Sequence, residues 1–130
     1  MPVKKQLAPL SGAQLNIMNL VWDNGEVTVA GVWQVLSKRR TVARNTVQTI
    51  MTRLEEKGWL RHRVEGNRFL YSAVPERAGV LKKMVSQLVD TAFGGSAEDM
   101  MMALLDSRGV SPDEAARIRK MIRKAQEKGS

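Results

Sequence analysis

Cysteine is absent from this 130-residue chain and histidine occurs once. No disulfide framework can form, no thiolate-based zinc, iron–sulfur or copper site can exist, and cysteine nucleophiles are excluded. A single histidine cannot furnish a multi-histidine metal site, so neither a metal nor a cofactor is expected. Long apolar runs are missing too. The most apolar stretch, residues 100–105, is far too short to span a bilayer. Residues 1–12 hold Lys4 and Lys5 with no apolar stretch behind them, so neither a signal peptide nor membrane insertion is predicted and a cytoplasmic location is expected. Acidic side chains are few beside basic ones: 13 against 21, for a net charge of +8. That imbalance points to a polyanionic partner, nucleic acid first and an anionic membrane surface second. Residues 1–74 carry 11 basic and 5 acidic side chains, whereas 75–130 carry 10 and 8, so the polyanion contact belongs mainly to the first part.

What is present reads as one small domain followed by an association segment. Ser11 and Gln14 have the spacing of a capping box that opens a first helix, with Leu15, Met18, Val21 and Trp22 on one face and Asp23-Asn24-Gly25 as its stop. Thr28 caps a second helix over 28–38, whose Val29, Val32, Trp33 and Leu36 form an apolar stripe. Lys38, Arg39 and Arg40 then place cations at the negative end of its dipole. A third helix over 43–57, stopped by Gly58, packs Val47, Ile50, Met51 and Leu54 on one side. Its start is weakly marked, because Ala43 cannot cap and Thr41 is the nearest side chain able to. The hydrophobic period then falls from 3.6 to 2. Runs 59–64 and 69–74, joined through Gly66-Asn67, read as a tight β-hairpin. His62 alternates with Leu60 and Val64 and is expected to be partly buried, without a chemical role. Trp22, Trp33 and Trp59 are expected in the core. Pro75 ends the pattern, and three helices follow, over 76–92, from Ser96 to near Gly109, and from the strong start Ser111-Pro112-Asp113-Glu114.

Three helices and a hairpin in this order describe a winged helix-turn-helix. The predicted fold is mainly α: a winged-helix DNA-binding domain over 1–74 and a three-helix dimerisation region over 75–130. A major groove about 12 Å wide admits one α-helix. The third helix turns short polar side chains outward, which lets it sit close to base edges. Its candidate contacts are Arg44, Asn45, Thr46, Gln48, Thr49, Thr52 and Arg53. Asn45 suits an adenine edge, Thr46 and Thr49 offer a methyl to thymine and a hydroxyl to a base or phosphate, and Arg44 and Arg53 reach guanine or phosphate. Arg61, Arg63 and Arg68 are the candidate contacts of the wing. Taken one at a time, each of these residues is first what a solvated face shows. The acid-poor helix face, the arginine-bearing hairpin and the charge balance together favour duplex DNA.

The stretch 10–71 closely resembles the BlaI/MecI/CopY family of bacterial transcriptional repressors. The matching features are Leu10, Ile17-Met18 and Leu20-Val21-Trp22, then Thr28-Val29, then Asn45-Thr46-Val47-Gln48-Thr49 with Thr52-Arg53-Leu54 and Lys57-Gly58, and finally Phe69-Leu70-Tyr71. Phe93-Gly94-Gly95-Ser96 and Ser111-Pro112-Asp113-Glu114 extend the likeness to about residue 125. The resemblance implies a homodimer on a dyad-symmetric operator and repression of nearby genes. Met84, Val85, Leu88, Met101, Met102, Leu104, Leu105, Ile118 and Ile122 are the interface candidates, since three apolar helices are too few to bury one another. Some of them are equally suited to closing a monomeric core. In one branch of the family a membrane sensor triggers proteolysis at an Asn-Phe bond in the dimerisation region. The corresponding position here is Ala103-Leu104, a departure that leaves cleavage there as a hypothesis. In the copper branch cysteine pairs bind metal, and this chain has none.

A different class, a winged-helix module for a protein or RNA partner, fits the same charge and fold. An enzyme does not, because no nucleophile, base and orienter can be assembled at plausible spacing. Glu55-Glu56 and Asp113-Glu114 read as helix-surface and helix-start charges.

Overall fold

The computed structural model describes residues 7–129, which leaves Lys4 and Lys5 outside it. The described chain runs α1 (Gly12–Asn24), α2 (Val29–Ser37), α3 (Arg44–Glu56), β1 (Leu60–Glu65), β2 (Arg68–Ala73), α4 (Arg77–Ala92), α5 (Ala97–Ser107) and α6 (Pro112–Gly129). It divides into two compact units, one through Lys82 and one from Lys83.

Local chemistry explains most of the element ends in the first unit. The Ser11 hydroxyl accepts from the Gln14 backbone N–H at 3.2 Å while the Gln14 side chain accepts from the Ser11 N–H at 2.9 Å, closing the expected capping box on α1. Thr28 Oγ1 accepts from the Gly31 N–H at 3.0 Å and starts α2. No side chain caps α3: Ala43 occupies that position and Thr41 does not reach it. The other end of α3 closes as a Schellman motif, with Trp59 N–H donating to the Leu54 carbonyl and Gly58 N–H to that of Glu55. Gly58 supplies the required left-handed backbone at φ +91°.

The hairpin pairs β1 and β2 antiparallel from Leu60↔Ala73 to Glu65↔Arg68. Gly66 at φ +61° followed by Asn67, whose φ is negative, fits a two-residue type II′ turn. A third, one-residue strand lies along β2: Val27 and Tyr71 exchange both backbone hydrogen bonds, at 2.9 and 2.7 Å.

The core gathers Ile17, Met18 and Val21 of α1, Val32 of α2, Val47, Met51 and Leu54 of α3, and Trp59, Leu60 and Tyr71 around the hairpin. Trp22 and Trp33 pack against it half-buried. All three indoles satisfy their N–H on a backbone carbonyl: Trp22 on Pro75 at 3.0 Å, Trp33 on Val42 at 2.8 Å, Trp59 on Ala8 at 3.1 Å. They are structural anchors, not stacking platforms. The first unit extends beyond the 74/75 boundary read from Pro75. The opening of α4 belongs to it, because Val80 is buried in the same core.

In the second unit, Ser96 Oγ accepts from the Asp99 N–H at 3.0 Å and Ser111 Oγ from the Glu114 N–H at 3.1 Å, which start α5 and α6 as their sequences require. Asp113 and Glu114 lie in the first turn of α6, at the positive end of its dipole.

Candidate DNA interface

Helix α3 alternates between two environments. Val47, Met51 and Leu54 are fully buried, and this fixes the rotation of the helix about its axis. The rotation turns Arg44, Asn45, Thr46, Gln48, Thr49, Thr52 and Arg53 outward, all of them exposed. Asn45, Gln48, Thr49, Thr52 and Arg53 share one shallow concave patch with Glu56. These six follow the i, i+3, i+4, i+7 spacing of a single helical face. The sequence candidates on α3 are thus brought to one surface, with Arg44 and Thr46 at its flanks. Glu56, the one acid on it, stands at its C-terminal end. The Thr49 hydroxyl donates to the Asn45 carbonyl at 2.9 Å, so its methyl and its oxygen lone pairs are what remain for a ligand.

The three arginines of the hairpin do not share one state. Arg61 and Arg68 are exposed, and no carboxylate among the described residues lies within ion-pair distance of either. Arg63 is engaged. Its Nε donates to Glu26 Oε2 at 2.7 Å and its Nη2 to Glu26 Oε1 at 2.9 Å, and Nη2 also lies 3.1 Å from Glu65 Oε2. The hydrogen bond from Arg63 holds the Glu26 carboxyl below its ordinary value, and the same bond raises Arg63.

His62, on the opposite face of β1, is exposed as a residue, with 28% of its side-chain surface accessible. Its Nδ1 pairs with Glu55 Oε2 of α3, and its ring stacks on Phe69 at a centroid distance of 4.1 Å and 13° between planes. Alternation with Leu60 and Val64 predicts a partly buried His62, whereas β1 is exposed at every position after Leu60, and alternation does not announce this partner, which belongs to another element. Lys38, Arg39 and Arg40 form a further basic group, exposed in the turn that leads to α3. Their place at the end of α2 explains them as dipole partners. The structure adds that no carboxylate among the described residues neutralises them.

Among the second unit's interface candidates, Met84, Val85, Leu88, Met102, Leu104, Leu105 and Ile122 are exposed, and Met101 and Ile118 are half-buried. Leu81, Val110 and Met121 are exposed apolar residues that the candidate set does not include. Ala103 and Leu104 lie inside α5, both exposed. No helix among the described residues is long and apolar enough to cross a membrane.

The geometry has counterparts among known proteins. The penicillinase repressor of Bacillus licheniformis is 26% identical over 110 residues, which cover 85% of this chain and 86% of that protein. The solved DNA-binding domain of the repressor BlaI is 32% identical, with a TM-score of 0.52 over 57% of this chain and 90% of the domain. The monomeric form of Bacillus licheniformis BlaI, solved in complex with the blaP half-operator, is also 32% identical, with a TM-score of 0.50 over 56% of this chain and 89% of that one. These likenesses agree with the winged helix built here from α1–α3 and the hairpin. A family model described as the penicillinase repressor matches residues 10–124, close to the 10–125 over which the sequence resemblance extends, and the chain belongs to that family.

Proposed function

We infer that this chain is a sequence-specific DNA-binding transcriptional repressor, with no catalytic activity of its own. The observation that carries this reading is the outward face of α3, where Asn45, Gln48, Thr49, Thr52 and Arg53 form one exposed polar surface held in rotation by a fully buried opposite face. The short side chains permit close approach to base edges. Arg61 and Arg68, with no carboxylate among the described residues within ion-pair distance, supply cations for the phosphate backbone. A 32% identical domain solved on a half-operator supports the same assignment.

The chain acts as a homodimer on a dyad-symmetric operator, in the cytoplasm. The exposed Met84, Val85, Leu88, Met102, Leu105 and Ile122 support this, since a second copy would remove them from water. Half-sites then lie about one helical turn, roughly 10 bp, or a multiple of it apart. Release by a membrane sensor–protease system would cut at Ala103–Leu104. Both residues are exposed, and α5 has to unwind to present that bond as an extended strand.

Selection of duplexes from a randomised pool by the purified chain, followed by titration of the selected palindrome and of a scrambled one at several salt concentrations, tests the reading. Tight, salt-steep binding to the palindrome is expected, with weaker binding to the scrambled duplex. Equal affinity for both at physiological salt rejects it. A protein or RNA captured in preference to any duplex would favour the interaction-module reading.

A further inference from the structure

Consecutive residues of a strand face opposite ways, so His62 and Arg63 leave β1 on its two sides. His62 reaches Glu55 of α3 and stacks on Phe69. Arg63 reaches Glu26, immediately before Val27, the residue hydrogen-bonded along β2. The middle of the wing is therefore gripped from both faces by side chains of other elements. On the Arg63 side an open cleft of about 330 Å3 is lined by Leu20, Glu26, Val27, Arg68 and Leu70 among others, so apolar packing leaves this flank of the wing partly unfilled.

The charge around Arg63 argues against a role on DNA. Its Nε and Nη2 both donate to Glu26, and Nη2 also pairs with Glu65. One guanidinium with two carboxylates carries a net charge of about −1, which repels a phosphate. To contact one, Arg63 would have to leave a two-point grip and expose both carboxylates to the same polyanion. Arg61, on the same face of β1, and Arg68, beside the turn, carry no such partners.

We propose that Arg63 is a positioning residue of the wing and not a phosphate contact: its grip on Glu26 sets the direction in which Arg61 and Arg68 meet the DNA backbone. This rests on the DNA-binding reading above. A wild-type chain that selects no duplex rejects that reading before the present one is reached.

The test is a charge exchange. Arg63→Glu places three carboxylates together and weakens binding of the wild-type-selected duplex ~10-fold, within the range of coupled charge pairs. Glu26→Arg combined with Arg63→Glu rebuilds the pair in reverse at unchanged net charge and returns affinity to within about two-fold of wild type. Arg63→Ala weakens binding with the wild-type slope of log affinity against log salt, because no phosphate contact is lost. Circular dichroism verifies that each variant folds. If the exchanged pair does not fold, the Arg63→Ala slope decides alone. A folded double variant as weak as Arg63→Glu, an Arg63→Ala slope reduced by about one, or an Arg63→Ala variant that binds like wild type overturns the proposal.

Discussion

The Thr49 hydroxyl donates to the carbonyl of Asn45, 2.9 Å away on the preceding turn of α3. A threonine that bonds back along its helix has used its only donor, which leaves its methyl and its oxygen lone pairs for a ligand. Thr49→Val, which keeps a methyl there, is expected to discriminate the selected operator from scrambled DNA nearly as well as wild type. Thr49→Ser, which keeps the hydroxyl and loses the methyl, is expected to lose about 0.8 kcal/mol of discrimination, roughly four-fold. Competitive titration of the two duplexes checks the order of the variants. The reverse order would make the oxygen the contact.

Arg53 and Arg68 are both exposed cations, on different elements, and the proposed reading gives them different tasks. Arg53 lines the α3 patch with Asn45 and Thr49, the surface proposed above to read base edges. Arg53→Ala is expected to lower affinity for the operator by about 1–3 kcal/mol and to leave scrambled DNA little changed. Arg68 flanks the turn of the wing. Arg68→Ala is expected to weaken both duplexes alike and to reduce the salt slope by about one. Titrations of each variant on both duplexes, at several salt concentrations, separate the two behaviours.

The legible features of this chain are those written within four residues or so of one another. Ser11 with Gln14, Thr28, Gly66-Asn67 and Ser111 with Pro112 each carry their own end signal, and each element starts or turns where those residues say. The apolar stripe of α3 likewise fixes which side chains face out, so its candidate DNA face emerges whole. What stays hidden depends on chain neighbours brought from afar. Glu26 and Arg63 are 37 positions apart and His62 and Glu55 seven, in different elements, and no period or cap announces either pair. Arg63 therefore looks like Arg61 and Arg68 in sequence and differs from them in structure. Val80 shows the same effect at the boundary. Pro75 marks a break in pattern, yet the core closes only with a residue of the following helix.

Met51 and Leu88 are apolar helix residues in opposite circumstances: Met51 is fully buried in the first unit and Leu88 is exposed in the second. Met51→Ala is expected to destabilise the first unit by about 2–5 kcal/mol, read by urea denaturation followed through tryptophan fluorescence. Leu88→Glu is expected to leave that transition in place and to shift the chain from dimer to monomer in sedimentation equilibrium, with weaker binding to a full palindrome than wild type shows and little change on an isolated half-site. A Leu88→Glu chain that remains dimeric would remove this part of α4 from the interface.

The Glu26–Arg63 pair also predicts how stability varies with pH. The Arg63 hydrogen bond holds the Glu26 carboxyl below its ordinary value of 4.5, so in acid the folded chain binds fewer protons than the unfolded one. A depressed carboxyl contributes its stabilisation fully above the unfolded value and loses it as pH falls through the folded value. Wild type is therefore expected to exceed Glu26→Gln in stability by a constant margin above pH 4.5, and the margin is expected to close as the solution becomes more acidic. Because both side chains are exposed, added salt narrows the margin above pH 4.5. Urea denaturation of both proteins across the acid range measures this directly. A margin that persists undiminished down to about pH 3 would assign the effect of the substitution to packing and not to the charge of Glu26.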